Sequence, residues 1–148
     1  MREKHMRAAL EQAKAALELG EVPVGAAVVL DGEIIALAHN ERETSLDPTA
    51  HAEVLAIRRA AKKLGRRRLS GCTLYVTLEP CPMCAGTIVM SGLKDVVYGA
   101  ADERAGCAGS VYALTEDPAF GAGIPCSGGL LEGESKALLS AFFEARRA

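Results

Sequence analysis

Apolar residues recur at helical spacing through residues 4–19, at Met6, Ala9, Leu10, Ala13 and Leu17, and the pattern stops at Gly20, a helix-ending residue. Two strand-like runs follow, VPVGAAVVL (22–30) and EIIALAHN (33–40), joined by Asp31-Gly32, a strong hairpin signal. A polar loop containing Asp47-Pro48 leads to a second helical pattern over about Ala50–Leu64, with Thr49 as its expected N-cap. CTLYVTL (72–78) reads as a buried strand, Pro82 suits the first turn of a helix over 82–91, and DVVYGA (95–100) is another strand. The rest predicts a loop at 106–109, a short helix over 110–115, a short strand within 123–129 and a last helix over about 133–146. One antiparallel hairpin followed by strands alternating with helices predicts an α/β protein. The expected form is a three-layer α/β/α sandwich around a mixed sheet of about five strands. No repeat, low-complexity segment or linker divides residues 1–148, so a single domain is expected.

Composition narrows the classes. Nearly half of the 148 residues are hydrophobic and none is Trp, so the core is built mainly of Ala, Val, Leu and Ile. No run is long enough to span a membrane, and the charged opening residues lack the apolar stretch of a secretory signal. A cytoplasmic, non-membrane protein is expected. The five cysteines, Cys72, Cys81, Cys84, Cys107 and Cys126, are an odd number without a secretory context. That argues against a disulfide framework and leaves metal binding or inert burial. The net charge of −2 does not mark a nucleic-acid binder, yet seven basic residues and no acid lie between Arg58 and Arg68. Such a run is either a solvated helix face or a phosphate-attracting patch.

The chemistry concentrates in two short stretches, TAHAEV (49–54) and EPCPMC (79–84). Cys81 and Cys84 fall at the start of the 82–91 helix, where three-residue spacing puts both sulfurs near one ion and the helix dipole favours thiolate. Alone, Cys-x-x-Cys fits zinc, a redox pair or chance. His51 falls at another helix start, and both starts follow sheet strands, where open α/β sheets build their sites. Three ligands of type His, Cys and Cys leave a fourth zinc position open, as catalytic sites require. Cys72, Cys107, Cys126, His5 and His39 have no ligand-like spacing and read as buried small residues or surface imidazoles. On a helix, Glu53 would point about 200° from His51, so it reads as a proton carrier beside the bound water rather than a ligand.

His-Ala-Glu followed by Pro-Cys-x-x-Cys resembles the signature of the zinc-dependent nucleoside and nucleobase deaminases. The stretches EVPVGAAVV (21–29), HNERETSLDPTAHAE (39–53), LYVTLEPCPMCAGTIV (74–89), VVYGAADERAGCAGS (96–110) and LLSAFFEARR (138–147) resemble the bacterial tRNA-specific adenosine deaminases more closely. Cys107, Glu103-Arg104 and Gly92 depart from that pattern, all away from the zinc motif.

The resemblance implies a cytidine deaminase-like fold and one Zn2+ per subunit, held by His51, Cys81 and Cys84. It further implies hydrolytic deamination of a wobble adenosine to inosine in a tRNA anticodon stem-loop. Zinc-activated water would attack C6 of adenine, with Glu53 moving protons to N1 and the leaving amine. It also implies a homodimer and no DNA partner. Asn40 is expected to hold the flipped nucleotide, and the backbone N–H of Ala52 to be a free donor for the base. Val24 and Leu78 are expected to wall the pocket, Asp102 to contact the nucleotide or its neighbour, and Arg146 and Arg147 to meet the anticodon loop. Phe142 and Phe143 read as core residues of the last helix. Two rivals stand beside this reading. One is a small-molecule deaminase of guanine or cytosine type, and the other a non-catalytic zinc-stabilised binding domain.

Overall fold

The computed structural model describes residues 2–121 and 123–147. Four helices, α1 (Arg2–Glu18), α2 (Ala52–Leu64), α3 (Pro82–Ser91) and α4 (Glu132–Arg147), surround five strands. The strands are β1 (Gly25–Leu30), β2 (Glu33–His39), β3 (Thr73–Leu78), β4 (Asp95–Ala100) and β5 (Cys126–Ser127). They lie in the order β2-β1-β3-β4-β5, with β1 antiparallel to β2 and β3, and β3, β4 and β5 parallel. The mixed five-stranded sheet expected from the sequence is therefore present.

Strand periodicity builds the layers. Ala26 and Val28 of β1, with Leu74 and Val76 of β3, face the α2–α3 side and meet Ala56, Ile57 and Ile88 there. Their neighbours Ala27, Val29 and Tyr75 point the other way, onto Met6, Ala9 and Leu10 of α1. The hairpin turn is made by Asp31 and Gly32, both at positive φ (51° and 79°), as a tight two-residue connection requires.

Register explains where a site can form. His39 pairs with Gly25, Ala26 with Val76, and Leu78 with Ala100. The ends of β2, β3 and β4 and the start of β1 thus share one sheet edge. Chain leaving or entering that edge carries Val24, Asn40, Glu79 and Asp102, and leads to the first turns of α2 and α3.

Three expectations are corrected. Thr49 does not cap α2: its N–H and hydroxyl both donate to Asp47 at 2.8 Å, an Asx turn, and His51 is the N-cap. The short helix expected at 110–115 is replaced by two 3₁₀ turns, Leu114–Glu116 and Pro118–Phe120, separated at Asp117-Pro118. The short strand expected within 123–129 is present as Cys126–Ser127, and the chain turns away at Gly129 (φ 98°). Phe142 is core, but Phe143 is 48% exposed on the outer side of α4.

Candidate metal and substrate site

His51 and Cys81 occupy matching positions, the N-caps of α2 and α3, both with extended backbone (φ −76°). Neither side chain makes the usual capping hydrogen bond, so both are left for another task. Cys84 lies one turn into α3 and is fully buried. Nδ1 of His51 is 3.5 Å from the Cys81 sulfur and 3.4 Å from the Cys84 sulfur. Among the described residues these three form the group able to hold a metal, with ligand atoms all within 4.8 Å of one another.

The geometry fits a tetrahedral ion. Zinc–sulfur and zinc–nitrogen bonds of about 2.3 and 2.05 Å at the tetrahedral angle imply an S···N edge of about 3.6 Å. The two observed edges lie within about 0.2 Å of that value. The protonation pattern agrees with a ligand pair. A hydrogen bond from Cys84, followed by one from His51, brings the Cys81 thiol down to about 4. The hydrogen bond to Cys81 and burial push Cys84 upward, and the bond to Cys81 raises His51. The pair thus shares one proton unequally, favouring thiolate at Cys81, and a bound metal would expel the proton from Cys84.

Glu53 stands in the first turn of α2, only 4% exposed, and burial pushes its carboxyl up to about 7. A carboxyl that changes protonation near neutral pH can both take and return a proton. Glu53 stands outside the His51-Cys81-Cys84 group but shares its cavity. His51 is an extended cap rather than a helical residue, so both side chains line the same cavity.

That cavity has a volume of about 230 Å³. It brings together Val24, Asn40, His51, Glu53, Leu78, Cys81 and Asp102, seven of the residues named from the sequence. Ala52 is a correction. Its N–H is not free, because it donates to Asn40 Oδ1 at 2.8 Å, while Asn40 Nδ2 donates to the Val22 carbonyl at 3.2 Å. Asp102 lines the cavity wall, and its carboxylate accepts from the N–H groups of Arg104 and Ala105.

Arg146 and Arg147 lie outside this cavity and apart from each other. Arg146 stacks 4.3 Å over the Phe142 ring and donates to the Gly20 carbonyl. It lines a second cavity that shares Val22, Asn40 and Arg42 with the first. Arg147 lines a separate groove with Phe143 and Ala101. The basic run does not join the site. Arg58, Arg59, Lys62 and Lys63 are exposed along α2, Arg59 is tied to Glu41 and the Leu37 carbonyl, and the run ends near Leu69 at the far edge of the sheet.

Four cavity residues carried no role in the sequence reading: Val22, Arg42, Glu79 and Ala105. Glu79 and Arg42 sit inside the motif stretches, and the available signal was an acid placed directly before Pro-Cys at a strand end. The other cysteines stay out of the ligand group: Cys72 and Cys107 are buried, and Cys126 is half-buried with its sulfur 3.1 Å from the Thr115 hydroxyl. His5 is a buried imidazole, edge-on to Tyr75, rather than a surface one.

A three-layer α/β/α sandwich with a His-Cys-Cys group and a buried Glu at one sheet edge defines the deaminase class. The profile of the MafB19-like deaminases matches residues 1–116. The chain is 51% identical over 145 residues to the tRNA-specific adenosine deaminase of Bacillus subtilis, covering 98% of this chain and 90% of that one. A structure solved in studies of A-to-I editing by tRNA:A34 deaminases is 42% identical, with a TM-score of 0.87 over 92% of this chain and 99% of that one. A guanine deaminase from Nitrosomonas europaea shares the fold at 28% identity, with a TM-score of 0.82 over 95% and 83% of the two chains. The chain belongs to the family of the tRNA-specific adenosine deaminases.

Proposed function

We propose that this chain, acting as one deaminase domain, converts the wobble adenosine of a tRNA anticodon stem-loop to inosine with release of ammonia. The observation that carries the chemistry is a buried Glu53 sharing one cavity with His51 and Cys81. One Zn2+ per subunit fits His51, Cys81 and Cys84, and when bound it supplies an activated water at the position three protein ligands leave open. Glu53 then does the proton work: it takes the proton of the attacking water, delivers it to ring N1 of adenine and passes a proton to the departing amine. Val24 and Leu78 flank the base, Asn40 holds the flipped nucleotide, and Asp102 faces the nucleotide or its neighbour. Arg146, beside the second cavity, and Arg147 meet the rest of the loop, where splayed bases cost little to extrude.

The substrate half rests on identity carried over the whole chain: the tRNA enzymes match at 51% and 42% over 98% and 92% of this chain, whereas the guanine deaminases match at 28% over 95%, or at 46% over only 67% with a TM-score of 0.64. The intact Glu53 and the three-ligand set argue against a non-catalytic zinc module. A homodimer is favoured by exposed apolar side chains away from the cavity, Met90 (77%) and Tyr112 (70%), and by Gly86 of α3, which faces open space. No described helix is long and apolar enough to cross a membrane, and a tRNA substrate would set the protein in the cytoplasm. The test is a parallel assay on a stem-loop with wobble adenosine, free adenosine, guanine, cytosine and cytidine. Inosine in the stem-loop alone is expected; ammonia from a free base or nucleoside with the stem-loop untouched would overturn the substrate.

A further inference from the structure

Glu79 follows β3 and precedes the metal-ligand turn, and its side chain lines the substrate cavity at 2% residue exposure. It forms no ion pair among the described residues. Instead its carboxylate gathers four donors from one loop. These are the N–H groups of Asp102 (3.0 Å), Ala108 (3.1 Å) and Ser110 (2.9 Å), and the Ser110 hydroxyl. The loop closes tightly on this carboxylate. A Cβ at Gly106 would collide with the Glu79 carboxyl and the Asp102 carbonyl, so only glycine allows the approach. The same loop is fixed a second time to the turn before Cys81, where the Cys107 N–H donates to the Pro80 carbonyl at 2.8 Å. Asp102 and Ala105, which this arrangement carries, are the loop's contribution to the cavity wall.

We propose that Glu79 is a positioning residue for substrate binding. It folds residues 102–110 around one carboxylate, and so sets the affinity of the cavity for the nucleotide while leaving the proton chemistry to Glu53. This rests on the deaminase reading above. Four convergent donors are more than holding a surface loop requires, and two of the residues they hold sit where the base must enter. Glutamine has nearly the same shape but offers one acceptor oxygen and turns an NH2 toward the amide donors. It therefore releases part of the loop without opening a cavity.

The test is steady-state kinetics of the zinc-loaded protein on the anticodon stem-loop, with metal content and amide hydrogen exchange measured on the same samples. In Glu79→Gln, one metal per chain is retained, KM rises about tenfold or more and kcat changes by less than about threefold, the size of one lost charge-assisted hydrogen bond. The Asp102, Ala108 and Ser110 amides exchange faster. Ser110→Ala, which removes only the hydroxyl donor, raises KM about threefold, and Ser110→Thr restores it. A fall in kcat with KM unchanged, or wild-type kinetics, would overturn the proposal. Should Glu79→Gln fail to fold, a wild-type KM in Ser110→Ala overturns it equally. Wild-type protein is assayed on guanine and cytosine alongside: turnover of a free base alone sinks the tRNA reading, and the KM-against-kcat split is then scored on that base.

Discussion

Asn40 Oδ1 accepts the N–H of Ala52 at 2.8 Å, joining the end of β2 to the first turn of α2. The same side chain donates to the Val22 carbonyl, so one amide ties three segments around the cavity. Asn40→Ala leaves the buried helix N–H of Ala52 without a partner, costing about 1–3 kcal/mol, while the Val22 carbonyl keeps the Val24 N–H at 2.8 Å. The melting temperature should fall by about 2–12 °C, at the usual 2–4 °C per kcal/mol for a chain of this size. Asn40→Asp keeps the acceptor for Ala52 but sets an oxygen against the Val22 carbonyl, so it should recover only part of the loss. A thermal scan in which Asn40→Ala matches wild type would refute this joint.

The ligand set predicts a graded loss of metal. Cys84→Ala removes a buried sulfur from the group, and Cys84→Ser replaces it with a poorer donor. Metal content after dialysis against a mild chelator should drop to near zero in the first and to an intermediate level in the second. Cys107→Ala, buried but outside the group, should retain full occupancy. Metal lost from Cys107→Ala and kept by Cys84→Ala would reassign the site.

The two terminal arginines should separate. Arg146 borders the cavity that shares Val22, Asn40 and Arg42 with the active pocket, whereas Arg147 lines a groove beside Phe143. Arg146→Ala should weaken stem-loop binding about fivefold and lower the salt slope by about one, and Arg147→Ala should do less on both counts. A loss confined to Arg147→Ala would place the RNA on the other side of α4.

Acid stability should trace to Glu21. This carboxylate is 1% exposed and accepts from the N–H groups of Glu43 (3.0 Å) and Thr44 (2.7 Å), anchoring the loop that carries Arg42. Burial alone would raise its pKa, but the Thr44 and Glu43 donors outweigh that and hold it below the ordinary 4.5. A depressed folded pKa contributes stability above the unfolded value, and that contribution is lost as pH falls through the folded one. Glu21→Gln should therefore be less stable than wild type by about 2–3 kcal/mol at pH 7, with the gap narrowing below about pH 4.5. Urea midpoints at pH 7, 4 and 3 check this; a gap that stays constant would exclude Glu21 as the cause.

Much of this was legible in the chain because local signals and the fold agree. Pro82 begins α3 where the sequence put it, Asp31-Gly32 makes the hairpin, and the alternating strands bury the faces their spacing dictates. His51, Cys81 and Cys84 could be read together because their donor types already narrow the chemistry. The misses have physical causes. Thr49 looks like a cap until Asp47 takes its N–H and hydroxyl, a choice settled by loop geometry. The 110–120 segment lacks the periodicity that marks elements and is shaped by tertiary bonds such as Ile124 N–H to the Thr115 carbonyl. Ala52 seemed a free donor because nothing in sequence reveals that Asn40, twelve residues earlier, returns to satisfy it. Glu79 and Glu21 were passed over since a single acid gives no hint that a distant loop folds onto it.

The most direct test of the central claim is inosine formation in an anticodon stem-loop by wild type and Glu53→Ala, with zinc measured in both. Wild type should convert the wobble adenosine, and Glu53→Ala should hold the same zinc while losing at least about a hundredfold in turnover, the usual scale of general acid–base catalysis. Zinc-replete Glu53→Ala with wild-type turnover would contradict the proton role on which the account depends.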